Sequence, residues 1–592
     1  MSSAASRLFS FIQPQQLKKR HYSLLLIFAG LLAYANAVNH PYVHDDIVFI
    51  ADNPEIRQWN ITEIFFGKEV FVRDAVFPGD GALLNSYYRP VLDIIYRAGY
   101  WIFQGNPHGF HFLNIVIHIC NSLLVFQITH LISQSFFKAP GSGVSFAVAA
   151  LFLLHPVQTE SVACIVGISN LVYAAFFLLS FLHLLMVDQT PARGKIFHYA
   201  LSCLFFALAL LSKEQAAVLP FIMGVYFISL WVAKKDRREL ARAKLLIGHG
   251  VILLFYFIWR KEVIGSAVGS VSIFNAELPL RLAAIPQSIL IYLKILALPY
   301  DLHYYRNVDI LQPQLGLSIL ILIILAIGIF MVVRNFPDVK GIISFGTGFF
   351  LVALMPTLNI IPLINEYSLA FAAEHFLYLS VFGILLSVVP AIHYSRIPQR
   401  VSKIFFFIAI FFSLMITVVQ NTYWRGEIPL FERMVRFEKS FGRGHLLLAW
   451  AYFKADKLEE AKDAFQAALG IMQGYYAKAA SQEHKNFYGH YLVEIHSGLA
   501  RCSAIKNEHQ SAIREYLSAL NIAPHEADVH NNLGVEYIKV NDLENAAVHF
   551  KRAYEIRPAN HNFAQNLMNA YWAAGLTQEA GKIKDNLQKQ GQ

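Results

Sequence analysis

"SLLLIFAGLLAYANAVNHPYVHDDIVF", residues 23–49, joins an apolar run to an acid pair, and its reading decides what kind of fold follows. About seventeen hydrophobic residues amount to roughly one crossing of a bilayer. The basic "LKKRHY" precedes them, and Asp45 and Asp46 follow, framed by His40, His44 and aromatic residues. Such a run has features of a signal peptide. It carries no compelling small-x-small cleavage site, however, and many more apolar runs follow, so it reads as a retained signal-anchor helix. A chain entering the membrane this way, basic end inside, sets a carboxylate pair just outside.

Composition supports a membrane protein. Of 592 residues, 56% are hydrophobic and 15% charged, against about 25% charged in a soluble protein. The charges are unevenly spread: 39 lie in the 172 positions of 421–592, and 50 in the first 420. The chain therefore divides near residue 421 into a membrane part, 1–420, and a soluble part reached through a connector, 421–443. The net charge of +9 sits mostly in short loops between apolar runs, the densest being "KKDRRELARAK" (234–244). That is the pattern of cytoplasmic loops under the positive-inside rule, and no basic and aromatic surface motif accompanies it, so nucleic acid is not an expected partner. Four cysteines without CxxC spacing argue against a disulfide framework or a zinc site.

Hydropathy marks eleven crossings: 22–38, 112–131, 144–157, 168–187, 197–212, 215–233, 245–260, 315–333, 341–356, 376–393 and 404–420. A twelfth stretch, "LPLRLAAIPQSILIYLKILALP" (278–299), carries Arg281, Pro286 and Lys294 and suits an interfacial or re-entrant helix better. Keeping it out of the count places the basic loops "RNFPDVK" and "HYSRIPQR" inside with the others. Eleven crossings put the tail opposite the N-terminus. The loop 39–111, "HPVQTES" (155–161), "SKEQ" (212–215), "PYDLHYYRNVD" (299–309) and "TLNIIPLINEYSLAFAAEH" (357–375) then share that external face.

Aligned on itself at an offset of 34, the tail superimposes Leu499, Leu533 and Leu567, then Ala512, Ala546 and Ala580, then Ala519 and Ala553. Pro524 falls on Pro558, and Tyr516 on Phe550. Small and aromatic residues in this order, closed by a proline, are the tetratricopeptide pattern of paired helices. An earlier copy holds Leu448, Ala449, Tyr452, Ala461, Phe465 and Ala468, separated from the next by a 17-residue insertion, "GIMQGYYAKAASQEHKN". Residues 444–592 thus form an α-solenoid whose concave surface suits a peptide or protein.

The external face holds the candidate chemistry. Asp45 and Asp46 open a loop too long for a plain connector. Tyr88 and Arg89 precede Pro90 at its far end, where an arginine at the membrane surface suits an anionic headgroup, phosphate or diphosphate. His155 and Glu160 end the third span, Lys213 and Glu214 fill a tight turn, and Glu374, His375 and Tyr378 sit at the mouth of the tenth. Charges squeezed between membrane helices are costly unless they are paired or used. For any single residue here, solvation, interfacial anchoring or mutual neutralisation is the plainer alternative.

Taken in order, the acid pair, "YYRP", "HPVQTES", "SKEQ", "AEHFLYLS" and "YWRGEIPLF", followed by the repeats, resemble the transmembrane and tetratricopeptide repeat-containing proteins. These look like relatives of protein O-mannosyltransferases, in the GT-C class of glycosyltransferases that use lipid-linked sugars. The resemblance covers nearly the whole chain. It implies an all-α polytopic domain of GT-C type with about eleven spans, and a catalytic aspartate at Asp45 or Asp46. It also implies substrate contacts at Tyr88, Arg89, His155, Glu160, Lys213, Glu214, Glu374, His375 and Tyr378. Two departures are the His375 that follows Glu374, where the family commonly has arginine, and the short array of about four repeats.

The expected activity is transfer of a sugar from a polyprenyl-phosphate donor to a hydroxyl of an external protein or glycan acceptor held by the repeats. A carboxylate takes the hydroxyl proton and cations stabilise the phosphate that leaves. No ligand spacing demands a metal, although His44 beside the acids leaves a divalent ion open. The expected setting is a bacterial inner membrane with the active loops periplasmic, or the endoplasmic reticulum with them lumenal. The competing class is a non-catalytic membrane scaffold that recruits envelope or secretory proteins through its repeats.

Overall fold

The computed structural model describes residues 14–66, 88–137, 142–264, 274–307, 315–358, 371–394, 397–479 and 482–590. Tyr87 and most of the external stretch 357–375 lie outside the described residues. Among the described residues the protein is all-α apart from one pair of two-residue strands, β1 (Arg306–Asn307) and β2 (Phe371–Ala372). The strands run antiparallel, with Arg306 opposite Ala372 and Asn307 opposite Phe371. The chain forms two compact units, Met1–Gly426 and Glu427–Gln592.

In the first unit, eight helices among the described residues are long and apolar enough to cross a bilayer, and a bent pair can serve as a ninth span. The pair, Ser142–Leu154 and Pro156–Ala163, bends by 48°. Its cause is local: Pro156 removes a helical N–H and forces His155 into extended backbone, as a residue before proline prefers. Two more of the eleven hydropathic stretches fall short for visible reasons. The helix Pro14–Tyr34 starts within basic sequence, and Ser380–His393 is only 14 residues long with Pro390 inside it. The ambiguous stretch forms the helix Phe274–Ala297, which holds Arg281 and Lys294 and is not among the eight.

Two features set the frame for the external rim. The helices Lys340–Leu354 and Ser380–His393 pack backbone to backbone, because a Cβ at Gly346 would stand 2.6 Å from the Gly383 carbonyl and one at Gly383 2.5 Å from the Phe350 nitrogen. Small residues are what allow membrane helices to approach this closely. The first and last membrane helices are tied at their C-terminal ends. Asn421 Nδ2 donates to the Ala33 carbonyl at 2.9 Å and to Asn36 Oδ1 at 2.8 Å, while Asn36 Nδ2 donates to the Val418 carbonyl at 2.9 Å.

The second unit opens with the helix Glu427–Phe437 and continues as four helix pairs. The aligned alanines are its packing points: Ala461, Ala512, Ala546, Ala580, Ala468, Ala519 and Ala553 are all fully buried. A small residue at each crossing lets neighbouring helices approach, and Phe465, Tyr516 and Phe550 fill the space beside them. The 17-residue insertion forms no long loop. It lengthens two facing helices, Leu458–Lys478 and Gln482–Ile505, to 21 and 24 residues, where later pairs have 13 and 14.

Candidate functional site

The two adjacent acids have different environments. His44 adopts a left-handed φ of 53°, and the kink sends the next two side chains to different places. Asp46 is 1% exposed. Its Oδ1 accepts from the Val166 N–H at 2.8 Å and the Cys164 thiol at 3.5 Å, and its Oδ2 accepts from the Val43 N–H at 3.2 Å. Burial pushes the Asp46 carboxyl up to about 7, against the pull of those N–H groups. It pins the turn at 164–166 to the first loop. The Asp45 side chain is 36% exposed; its Oδ1 lies 3.4 Å from His44 Nε2, and its Oδ2 accepts from the Tyr304 hydroxyl at 2.8 Å. Of the pair, Asp45 is the more exposed acid.

A cationic group gathers around one carboxylate. Arg89, placed by Pro90 at the first turn of the helix Pro90–Phe103, grips Glu214 with two bonds of 3.0 and 2.6 Å. Glu214 also lies in the fields of Arg260 and Lys213. Lys213 donates to Asn170 Oδ1 at 2.5 Å and stands 5.8 Å over the Tyr173 ring. Burial and then Arg89 pull the Lys213 ammonium down to about 7, against Glu214 and Glu160. Three basic side chains, Arg89, Lys213 and Arg260, thus gather around Glu214, with Glu160 also in the field of Lys213. Tyr96 is in the field of both Asp45 and Arg89.

On the other side, Glu160 accepts from the backbone N–H of His375 at 2.8 Å and from its ring Nδ1 at 2.7 Å. Glu374 Oε1 accepts from the His303 N–H at 2.6 Å and from Arg306 Nη1 at 3.1 Å. Burial pushes the Glu374 carboxyl up to about 8; Arg306 opposes the rise and Glu160 adds to it. Arg306 continues to the Asp301 carbonyl at 2.6 Å, and Asp301 pairs with Lys294 at 2.9 Å.

The remaining sequence candidates sit inside the framework. Tyr88 donates to the Phe65 carbonyl at 3.2 Å and accepts from the Trp259 indole at 2.9 Å, tying the first loop down. His155 accepts from the Val157 N–H at 3.3 Å through Nδ1 and binds the Leu296 carbonyl at 3.1 Å through Nε2, so it caps the bend. Tyr378 is fully buried, its hydroxyl between His118 at 2.8 Å and Asn121 at 3.0 Å. Among the described residues, no group of three or more His, Cys, Asp or Glu side chains could hold a metal ion.

Sequence reasoning singled out neither Tyr304, His303, Arg306 nor Arg260. The first three lie in "PYDLHYYRNVD", which charge had placed on the external face, and that placement was the usable signal. Arg260 closes an apolar helix, where a basic residue looks like an ordinary anchor.

Comparison with known proteins agrees with this architecture. The sequence profile of the tetratricopeptide repeat matches residues 442–471 and 527–560. Protein O-mannosyl-transferase TMTC1 of Homo sapiens is 30% identical over 226 residues, covering 36% of this chain and 24% of that protein. Protein O-mannosyl-transferase TMTC4 of Mus musculus is 28% identical over 245 residues, covering 38% of this chain and 31% of that one. The chain thus matches less than a third of either relative's length. The crystal structure of the Archaeoglobus fulgidus oligosaccharyltransferase in the apo form aligns with 68% of this chain and 56% of its own at 10% identity, with a TM-score of 0.37, too low to carry an argument. The chain is therefore an integral membrane protein with tetratricopeptide repeats, similar over part of its length to the TMTC protein O-mannosyl-transferases.

Proposed function

We propose that the protein is a membrane glycosyltransferase of GT-C type. In this reading it moves a sugar from a polyprenyl-phosphate donor to a hydroxyl of a protein or glycan acceptor held by the repeats, on the face opposite the basic loops. One observation carries the reading: the membrane unit holds a partly exposed carboxylate, Asp45, and a group of three cations, Arg89, Lys213 and Arg260, gathered around Glu214. The donor's lipid stays in the bilayer and its phosphate meets Lys213, Arg260 and Arg89. The acceptor oxygen attacks the anomeric carbon as the carbon–oxygen bond to phosphate breaks. The bonding pair leaves with the lipid phosphate, and Asp45 takes the hydroxyl proton. Water-poor surroundings strengthen the cations' hold on the charge that develops on the leaving group. Names of the relatives, and the exposed position of Asp45 beside the buried Asp46, support the same assignment.

Incubating purified protein with radiolabelled polyprenyl-phosphate mannose and a membrane or periplasmic extract should label protein. If no label appears with any polyprenyl-phosphate sugar, and substitution of Asp45 changes nothing the protein does, the enzyme reading falls.

A further inference from the structure

The geometry points to Tyr304 as the residue that positions Asp45, held in place by a clamp in which Glu374 and Arg306 fix residues 301–307. This rests on the glycosyltransferase reading and assigns work to a residue that touches neither donor nor acceptor in that reading.

A half-exposed aspartate following a left-handed kink has several staggered orientations open to it, only some of which aim an oxygen at an acceptor. Tyr304 removes that freedom. Its hydroxyl donates to Oδ2, which leaves the Oδ1 edge, beside His44, for the acceptor proton. The Tyr305 hydroxyl donates to Tyr304 oxygen at 3.3 Å, so Tyr304's own proton remains directed at Asp45. Burial, and next the Asp45 charge, hold the Tyr304 hydroxyl well above its ordinary range, so it stays a donor at every working pH. The ring is wedged between His44, 5.4 Å away and perpendicular, and Trp424, 5.6 Å away at 87°.

The backbone behind Tyr304 is equally constrained. On one side the His303 N–H is bonded to Glu374, and on the other Arg306 reaches both Glu374 and the Asp301 carbonyl. Pairing of β1 with β2 ties the same segment to the residues just before Glu374. Glu374 therefore acts on the segment that carries Tyr304, and through it on Asp45. Asp45 touches His44 and Tyr304, and its charge also reaches Asp46, Tyr96 and Cys164.

The test uses the full chain with radiolabelled polyprenyl-phosphate mannose. Tyr304→Phe should lower turnover about 10- to 100-fold, the worth of a hydrogen bond to a charged group, with the KM for donor unchanged. Tyr305→Phe should stay within about threefold of the parent, since the bond to Asp45 survives. If Tyr304→Phe unfolds at a lower temperature than the parent, Glu374→Gln gives the reading instead, with the same fall in turnover and the same unchanged KM. Parent-like turnover in the folded variants, with Asp45→Asn inactive, would overturn the positioning role. Full activity in Asp45→Asn would instead defeat the underlying reading of Asp45.

Discussion

The two units treat charge in opposite ways. In the membrane unit, Arg89 and Glu214 are 17% and 12% exposed, and Arg306 and Glu374 are 6% and 5% exposed. In the repeat unit, Arg557 and Asp528 form an equally short pair at 40% and 53% exposure. A surface pair contributes little, about 0–1 kcal/mol. A buried pair carries a desolvation cost that hydrophobic residues would have avoided, and breaking it by removing one partner is severe. The repeat unit, by contrast, folds mainly on alanines and aromatics. The difference fits the proposed site on the membrane unit.

That contrast can be broken in several ways. Asp45→Asn carries the largest expected effect: sugar transfer falls about 100- to 10,000-fold, the usual worth of a general base, while the unfolding temperature in detergent stays that of the parent. Asp46→Asn should behave in reverse. It sets an amide NH2 against at least one of the donors around Asp46, so its first symptom is a lower unfolding temperature. Arg89→Gln comes next and should destabilise the membrane unit by up to about 3–5 kcal/mol, because Glu214 loses its direct partner and keeps only the fields of Lys213 and Arg260; chemical denaturation followed by tryptophan fluorescence measures it. Stopping the chain after Gly426 should leave binding of polyprenyl-phosphate mannose intact and cut transfer to a protein acceptor about 10- to 100-fold, the size of effect that tethering supplies. Loss of donor binding in a folded truncation would mean that the repeats complete the site.

A smaller effect follows from Lys213, whose ammonium is pulled down to about 7. Only its charged form attracts phosphate. Donor affinity should therefore weaken as pH rises through about 7, by up to tenfold per unit, since the lysine must take up a proton to bind. Lys213→Arg should flatten that dependence, which a filter-binding series from pH 6 to 8 would show. Smallest of all, Arg557→Gln should cost the repeat unit less than about 1 kcal/mol. A cost as large as that of Arg89→Gln would erase the contrast between the units.

Legibility in the sequence followed the range of the interactions. The repeats were readable because each copy restates the same alanines at the same spacing, and every aligned alanine is buried. The spans were readable because lipid imposes long apolar runs. Asp45 and Asp46, by contrast, are indistinguishable as letters, and what separates them is a kink at His44 and partners more than a hundred residues away. The bond from Tyr304 to Asp45 spans 259 positions, and nothing periodic records a contact of that kind. The insertion at 470–486 was legible as extra length but not as structure: its described residues extend the helices Leu458–Lys478 and Gln482–Ile505 on either side.

The tie between Asn36 and Asn421 has a consequence in parity. Two helices that each cross a bilayer and meet at their C-terminal ends must point the same way through it. If both helices cross, the number of crossings from the first helix to the last, counting both, is odd, whatever the status of any helix between them. Side-chain amides at two positions would then settle a parity that no tally of hydropathic stretches could fix, because miscounting one would reverse it.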